Sequence, residues 1–335
     1  MGAVILGAMA VLAVVSVGLQ DAPAGPSSSA GPIATPSPVL PSEPTLGGVM
    51  DLVSIQARPH VVFQNVIRDA DYAHVSVVSL DAPAGPRFAS DLICERVHMA
   101  GGQGLCLAGE HEAESRYYAI PFGEDFAPRQ RIPLAGPPIF VRVSPDGRYG
   151  AASVLTEPPT EEDPQAPTQT LLIDIAESNV VDDIEAFALS RDGAAFHAPD
   201  RDLWGVSFGT DSDRFYATLR TAGNLYLVEG SVKGRRLEVL HPNVSAPTVS
   251  PDGNRLAYAK LVSNIGPTFR FHVLDLSTMT EMPLAEATSI DDQMVWLDDE
   301  RLLYGLATNT WLVPSDGSGE PSVFLPDGLS PSVVP

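Results

Sequence analysis

A few groups of side chains in this sequence could do chemistry. Gly205-Val206-Ser207-Phe208-Gly209 matches the G-x-S-x-G pattern, which in hydrolases exposes a nucleophilic serine on a sharp strand-to-helix turn. Here the pentapeptide runs from Asp202-Leu203-Trp204 into Arg214-Phe215-Tyr216 with no α/β unit after it, so Ser207 reads as a strand position. The acidic pairs Asp69 and Asp71, Asp211 and Asp213, and Asp291 and Asp292 could supply oxygen ligands to calcium. None has the spacing of a complete calcium loop, and aspartate is an ordinary turn residue. Seven histidines are scattered without an H-E-x-x-H or paired pattern, so no zinc site is assigned. The expectation is therefore no catalytic residue, no metal and no cofactor. Asn243-Val244-Ser245 matches a glycosylation acceptor, a motif short enough to arise by chance.

Cys94 and Cys106 flank the glycine-rich Ala100-Gly101-Gly102-Gln103-Gly104, which suits a hairpin turn. Facing cysteines on adjacent strands form a disulfide in an oxidising compartment if their Cα atoms are within reach; two buried thiols are the alternative.

These residues need a scaffold, and composition narrows which one. Gly (28) and Pro (31) are abundant and charged residues make up only 19%, which favours many short strands and turns over charge-laced helices. Acidic residues outnumber basic ones 42 to 20, for a net charge of −22. With no Lys/Arg-rich run to neutralise phosphates, nucleic acid is excluded as a partner. The same charge repels anionic lipid, so the folded part should stand off from a membrane.

From Gly2 to Leu19 the chain is uncharged and rich in Val, Ala, Leu and Ile, near the lower length limit for crossing a bilayer. Residues 1–20 read as a single-pass anchor in the bacterial cytoplasmic membrane, with the rest outside the cytoplasm. A signal segment cleaved near Ala22-Pro23-Ala24, giving a secreted protein, is the alternative. Residues 21–58, rich in Pro, Ser, Ala and Gly, read as a disordered tether.

Beyond the tether one phrase recurs: an apolar run, a Ser-Pro-Asp-Gly-like turn, and a second apolar run. Val141-Arg142-Val143-Ser144-Pro145-Asp146-Gly147-Arg148-Tyr149 and Thr248-Val249-Ser250-Pro251-Asp252-Gly253-Asn254-Arg255-Leu256 are the clearest copies. Weaker copies surround Asp211 to Asp213 and Asp298 to Glu300. Pro presets φ, Asp caps the turn and Gly takes positive φ, so each phrase joins two antiparallel strands. Further strands follow, as at Leu171 to Ile175, Leu225 to Val228 and Leu237 to Leu240.

Turns at Gly102, Asp146, Asp211, Asp252 and Asp298, with one more unit from Val61 to Leu80, predict an all-β, six-bladed β-propeller of four-stranded blades over residues 59–335. The first unit lacks an innermost strand, and Ser330-Pro331-Ser332-Val333-Val334 looks like one without a following turn. Their pairing would close the ring. An open β-sandwich is the alternative. In the propeller, Asp291, Asp292 and Gln293 precede one inner strand, and Asp202 and Trp204 hold the corresponding place before another. These five are the expected ligand-binding residues at the channel mouth.

The Ser-Pro-Asp-Gly repeats resemble the WD40-like repeats of TolB propellers. Cys94-Glu95-Arg96-Val97 with Gly104-Leu105-Cys106-Leu107, Asp202-Leu203-Trp204-Gly205-Val206, Arg214-Phe215-Tyr216-Ala217-Thr218 and Asp291-Asp292-Gln293-Met294-Val295-Trp296-Leu297-Asp298 resemble actinobacterial membrane-anchored TolB-like proteins more closely. The likeness spans about Arg58 to Val334 and implies a six-bladed propeller on an N-terminal anchor, with no reaction to carry over. The function expected is an extracytoplasmic, membrane-tethered binding or scaffolding propeller for a protein or cell-envelope ligand. The alternative is a metal-dependent hydrolase or lactonase using acidic residues in the central channel.

Overall fold

A computed structural model of the protein describes residues 51–111, 115–160, 166–263 and 268–335. The expected anchor, most of the expected tether and part of the acidic loop between Glu157 and Pro167 lie outside the described residues. Among the described residues, no helix is long and apolar enough to cross a membrane.

The recurring turns fold as their composition dictates. In Ser144-Pro145-Asp146-Gly147, the Ser144 hydroxyl donates to Asp146 Oδ1 (2.6 Å) and accepts from Tyr149 N (2.9 Å), while Arg148 N donates to the same aspartate oxygen (3.0 Å). Gly147 sits at φ +72°, where a side chain is strained. Ser250-Pro251-Asp252-Gly253 repeats this network, with Gly253 at φ +73°. The Ser250 hydroxyl, against the effect of burial and helped by the Asn254 N–H, holds the Asp252 carboxyl below the ordinary aspartate range. Asp69 and Asp211, weighed above as calcium ligands, cap turns in the same way, accepting from Asp71 N and Asp213 N at 3.0 and 3.1 Å.

Among the described residues six sheets result, antiparallel but for one added pair in blade 4, each with an innermost strand: Gly328–Val334, Arg96–Ala100, Pro138–Val143, Asp202–Phe208, Ser245–Val249 and Val295–Trp296, for blades 1 to 6. The ring closes as expected. The C-terminal strand Gly328–Val334 pairs antiparallel with His60–Asn65, in register His60 to Val334 and Gln64 to Leu329. This strand also reaches blade 2. Ser330 Oγ accepts from Val97 N and donates to Val97 O (3.1 and 3.0 Å), and Ser332 Oγ does the same with Met99 (2.8 and 2.7 Å).

Two features differ from the expectation. Blade 4 has six strands rather than four, because Ala188–Arg191 adds in parallel to its outer strand Arg236–Pro242, and Ala194–Ala195 pairs with that addition. Phe187 and Leu189 drive this: both are buried in the blade 4 core, with Phe187 6.2 Å from the Phe215 ring. The long interval between the turns at Asp146 and Asp213 therefore contains this extension as well as the acidic loop. Secondly, Leu52–Gln56, in the stretch read as tether, is a short helix capped by Asp51, and its Ile55 is buried among the side chains of blades 1 and 2.

Cys94 and Cys106 form a disulfide, with Cα atoms 5.5 Å apart. Cys106 lies in the second strand of blade 2, opposite Val97, whereas Cys94 lies just before the inner strand rather than within it. The bridge thus fastens the link between blades 1 and 2 to blade 2. Both residues are buried.

Removing residues 328–335 should eliminate cooperative thermal unfolding, whereas Ser332→Ala should cost about 1–3 kcal/mol in urea unfolding by stranding Met99 N. Reduction of the disulfide should cost about 2–4 kcal/mol by freeing the loop it closes, measured as unfolding midpoints with and without reductant.

Candidate functional site

The inner strands surround a central channel, and their starting ends define one mouth. A cavity of ≈ 260 Å³ opens there. Arg96 comes from the start of the blade 2 inner strand, Ile139 and Phe140 from blade 3, Asp202 and Trp204 from blade 4, and Asp291 and Asp292 from the approach to blade 6. The blade 3 hairpin adds Leu155, Pro159, Ala166 and Thr168. Four of the five residues selected from the sequence therefore share one cavity.

Their roles within it differ. Asp292 pairs with Arg96 at 3.2 Å, joining blades 6 and 2. Asp291 accepts from the Ser245 hydroxyl of blade 5 at 2.8 Å. Asp291 itself is exposed to solvent; desolvation by the protein packed around it, opposed by that hydrogen bond and reinforced by the Asp292 charge, raises its carboxyl above the ordinary aspartate range. Asp202 is engaged at both oxygens. Oδ1 accepts from Thr168 N (2.8 Å) and the Thr168 hydroxyl (2.6 Å), and Oδ2 pairs with Arg220 at 2.8 Å. Asp202 is thus a tie between blades 3 and 4 at the cavity wall. Trp204 is a buried apolar wall, with the Arg220 guanidinium 5.9 Å from its ring.

Gln293 sits deeper, outside the residues lining this cavity. Its Oε1 accepts from Val141 N across the channel at 3.0 Å. Beside it, Arg142 of blade 3 donates to the Thr248 hydroxyl of blade 5 (3.2 Å) and to the Met294 carbonyl next to blade 6. The two side chains reach across the channel midway, and the small space bounded by Phe140, Arg142, Val206 and Gln293 has no room for water.

Arg96, Ile139 and Phe140 escaped the sequence-based selection. Arg96 opens its inner strand as Asp202 opens another, so comparing equivalent repeat positions would have found it. Ile139 and Phe140 carried no such signal, because an apolar strand residue gives no hint of which side meets a ligand. Ser207 is buried, and its hydroxyl accepts from Val249 N at 3.0 Å, a bond between blades 4 and 5. Among the described residues, no three His, Cys, Asp or Glu side chains converge to hold a metal ion.

The chain matches no protein-family model, and no curated protein matches it in sequence. Its fold is shared with solved structures. It resembles TolB from Acinetobacter baumannii with a TM-score of 0.54 and 12% identity, over 83% of this chain and 67% of that one. A puromycin-hydrolyzing peptidase from Mycobacterium tuberculosis matches with a TM-score of 0.52 and 13% identity, over 80% of this chain and 43% of that one. A chain of a nidogen/laminin complex matches with a TM-score of 0.57 and 10% identity, over 82% of this chain and 98% of that one. At such identities the likeness shows the propeller fold and nothing finer.

The raised Asp291 carboxyl predicts a pH signature, damped by the exposure of the residue to solvent. A carboxyl whose folded pKa lies above its unfolded value adds stability at low pH, and that contribution is lost as pH rises through the folded pKa. Stability from this group should be full below about pH 4 and gone above about pH 7, given its value of about 6. Asp291→Asn should flatten that part of the stability profile in urea titrations between those pH values.

Proposed function

We propose that the chain is a binding or scaffolding propeller of the actinobacterial, membrane-anchored TolB-like kind, held outside the cytoplasmic membrane and taking its ligand at the Asp291 mouth. One observation carries the reading. The mouth gathers an ion pair (Arg96 and Asp292), a carboxyl raised above the ordinary aspartate range (Asp291) and an aromatic wall (Trp204) around one cavity, with the Gln293 and Arg142 side chains reaching across the channel beneath. A few convergent polar groups on an apolar wall are what a recognition site requires. Two features support the location: the uncharged run from Gly2 to Leu19, and a disulfide, which persists in oxidising compartments. The partner that fits is a protein or another cell-envelope component that offers a cationic or hydroxylated group to Asp291.

The test is cross-linking in intact cells followed by purification of the full chain from membranes. One cell-envelope partner should be recovered with the natural chain and reduced about tenfold, or about 1.4 kcal/mol, with Asp291→Ala/Asp292→Ala. Unchanged recovery with that folded double variant, or recovery of the chain in the cytoplasmic fraction, would refute the reading.

A further inference from the structure

The opposite mouth, at the finishing ends of the inner strands, has a different chemistry. A cavity of ≈ 370 Å³ lies there, walled by Val143, Phe208, Trp296 and Val333, with Arg142 and His98 among its polar side chains. That volume falls within the range of small-molecule sites, roughly 300–1,000 Å³. None of the side chains lining it is an aspartate or glutamate, in a chain with 42 acidic residues. Between the two mouths the side chains of Gln293 and Arg142 reach across the channel.

Arg142 is the decisive residue. It is only 6% exposed, and it donates to two neutral acceptors, the Thr248 hydroxyl and the Met294 carbonyl. A desolvated guanidinium bonded to neutral groups keeps most of its charge uncompensated, a costly state that an anion would relieve. Burial lowers its pKa to about 9, with Asp292 of the other mouth acting in the opposite sense, so it remains a cation at neutral pH. His98 supplies a second donor. Its Nδ1 accepts from Val143 N at 3.2 Å, which places the proton of the neutral ring on Nε2. Burial, and then the charge of Arg142, hold that ring well below the ordinary histidine pKa, so it stays neutral. Trp296 is fixed in the wall by its indole N–H, which donates to Thr248 O at 2.9 Å.

We infer that this second cavity binds a small monocarboxylate with an apolar body, its carboxylate on Arg142 and His98 and its hydrocarbon against Phe208 and Trp296. One desolvated cation balances one negative charge. A phosphate ester carries close to two and would leave the second buried. The assignment is independent of the ligand proposed for the Asp291 mouth.

The probes are 3-phenylpropionate, its neutral amide 3-phenylpropionamide, and phenyl phosphate, added to the purified full chain. Calorimetry should show the carboxylate binding at least about tenfold more tightly than the amide, and Arg142→Met should remove that preference. Should Arg142→Met fail to fold, the indole N–H resonances of the natural chain decide. Trp296 lines this cavity, Trp204 the other and Trp311 neither, so 3-phenylpropionate should shift the Trp296 signal alone. Equal binding of acid and amide, a shift confined to Trp204, or no binding up to about 10 mM would overturn the inference. Tighter binding of phenyl phosphate than of the carboxylate would overturn the monocarboxylate assignment.

Discussion

Every blade of this propeller has an innermost strand paired on one side only, and its second edge faces the channel or the next blade. Backbone N–H groups left there without partners would cost stability and invite wrong pairings. The chain meets this constraint with side chains from neighbouring blades. Ser330 and Ser332 serve Val97 and Met99, His98 serves Val143, Ser153 serves Gly205 at 3.4 Å, Thr218 serves Ala246 at 2.9 Å, and Ser207 serves Val249. Blade packing and ring closure are thereby tied to individual hydrogen bonds as well as to apolar burial. The closing strand, which joins blade 1 by a ladder and blade 2 by its serines, is the place where both kinds of contact meet.

The same solution shapes the channel. Gln293 reaches across to Val141 N and Arg142 reaches across to Met294 O, so satisfying these backbone groups also fills the middle of the ring. A cup lies at each end of the channel, and the two differ in electrostatics. Asp291 and Asp292 make one mouth acidic with Arg96 as counter-charge, while Arg142 faces a largely apolar cavity lined by no Asp or Glu side chain on the other side. Residues 291 to 296 run between them, contributing Asp291 to one cup, Gln293 and Met294 O to the contacts across the channel, and Trp296 to the other.

Much of the negative charge of the chain has a local cause. Asp146 and Asp252 bind turn N–H groups, and so do Asp275, held at about 2 by hydrogen bonds from Ser277 and Thr278, and Asp316 with Ser318. Repeated hairpins need repeated carboxylates. Acidity that reads as a possible metal or ligand surface is largely turn chemistry, which leaves Asp291 and Asp292 as the carboxylates at a cavity with Asp202 as a tie beside them.

The propeller, five of its turns and the closure by Ser330 to Val334 were legible because they rest on local rules. Pro, Asp and Gly fix a hairpin within four residues, and alternating apolar runs fix which edge must be paired. The disulfide was legible as one of two options, since a hairpin brings flanking positions close without settling their geometry. Tertiary structure decided what depends on distances between blades. It alone placed Phe187 and Leu189 as the reason for an extended blade, assigned Asp202 to Thr168 and Arg220 while leaving Asp291 at the cavity, and set Arg142 in the channel opposite Met294. Which partner a polar side chain meets is fixed by the angle at which one blade packs on the next, and no spacing along the chain encodes that angle directly.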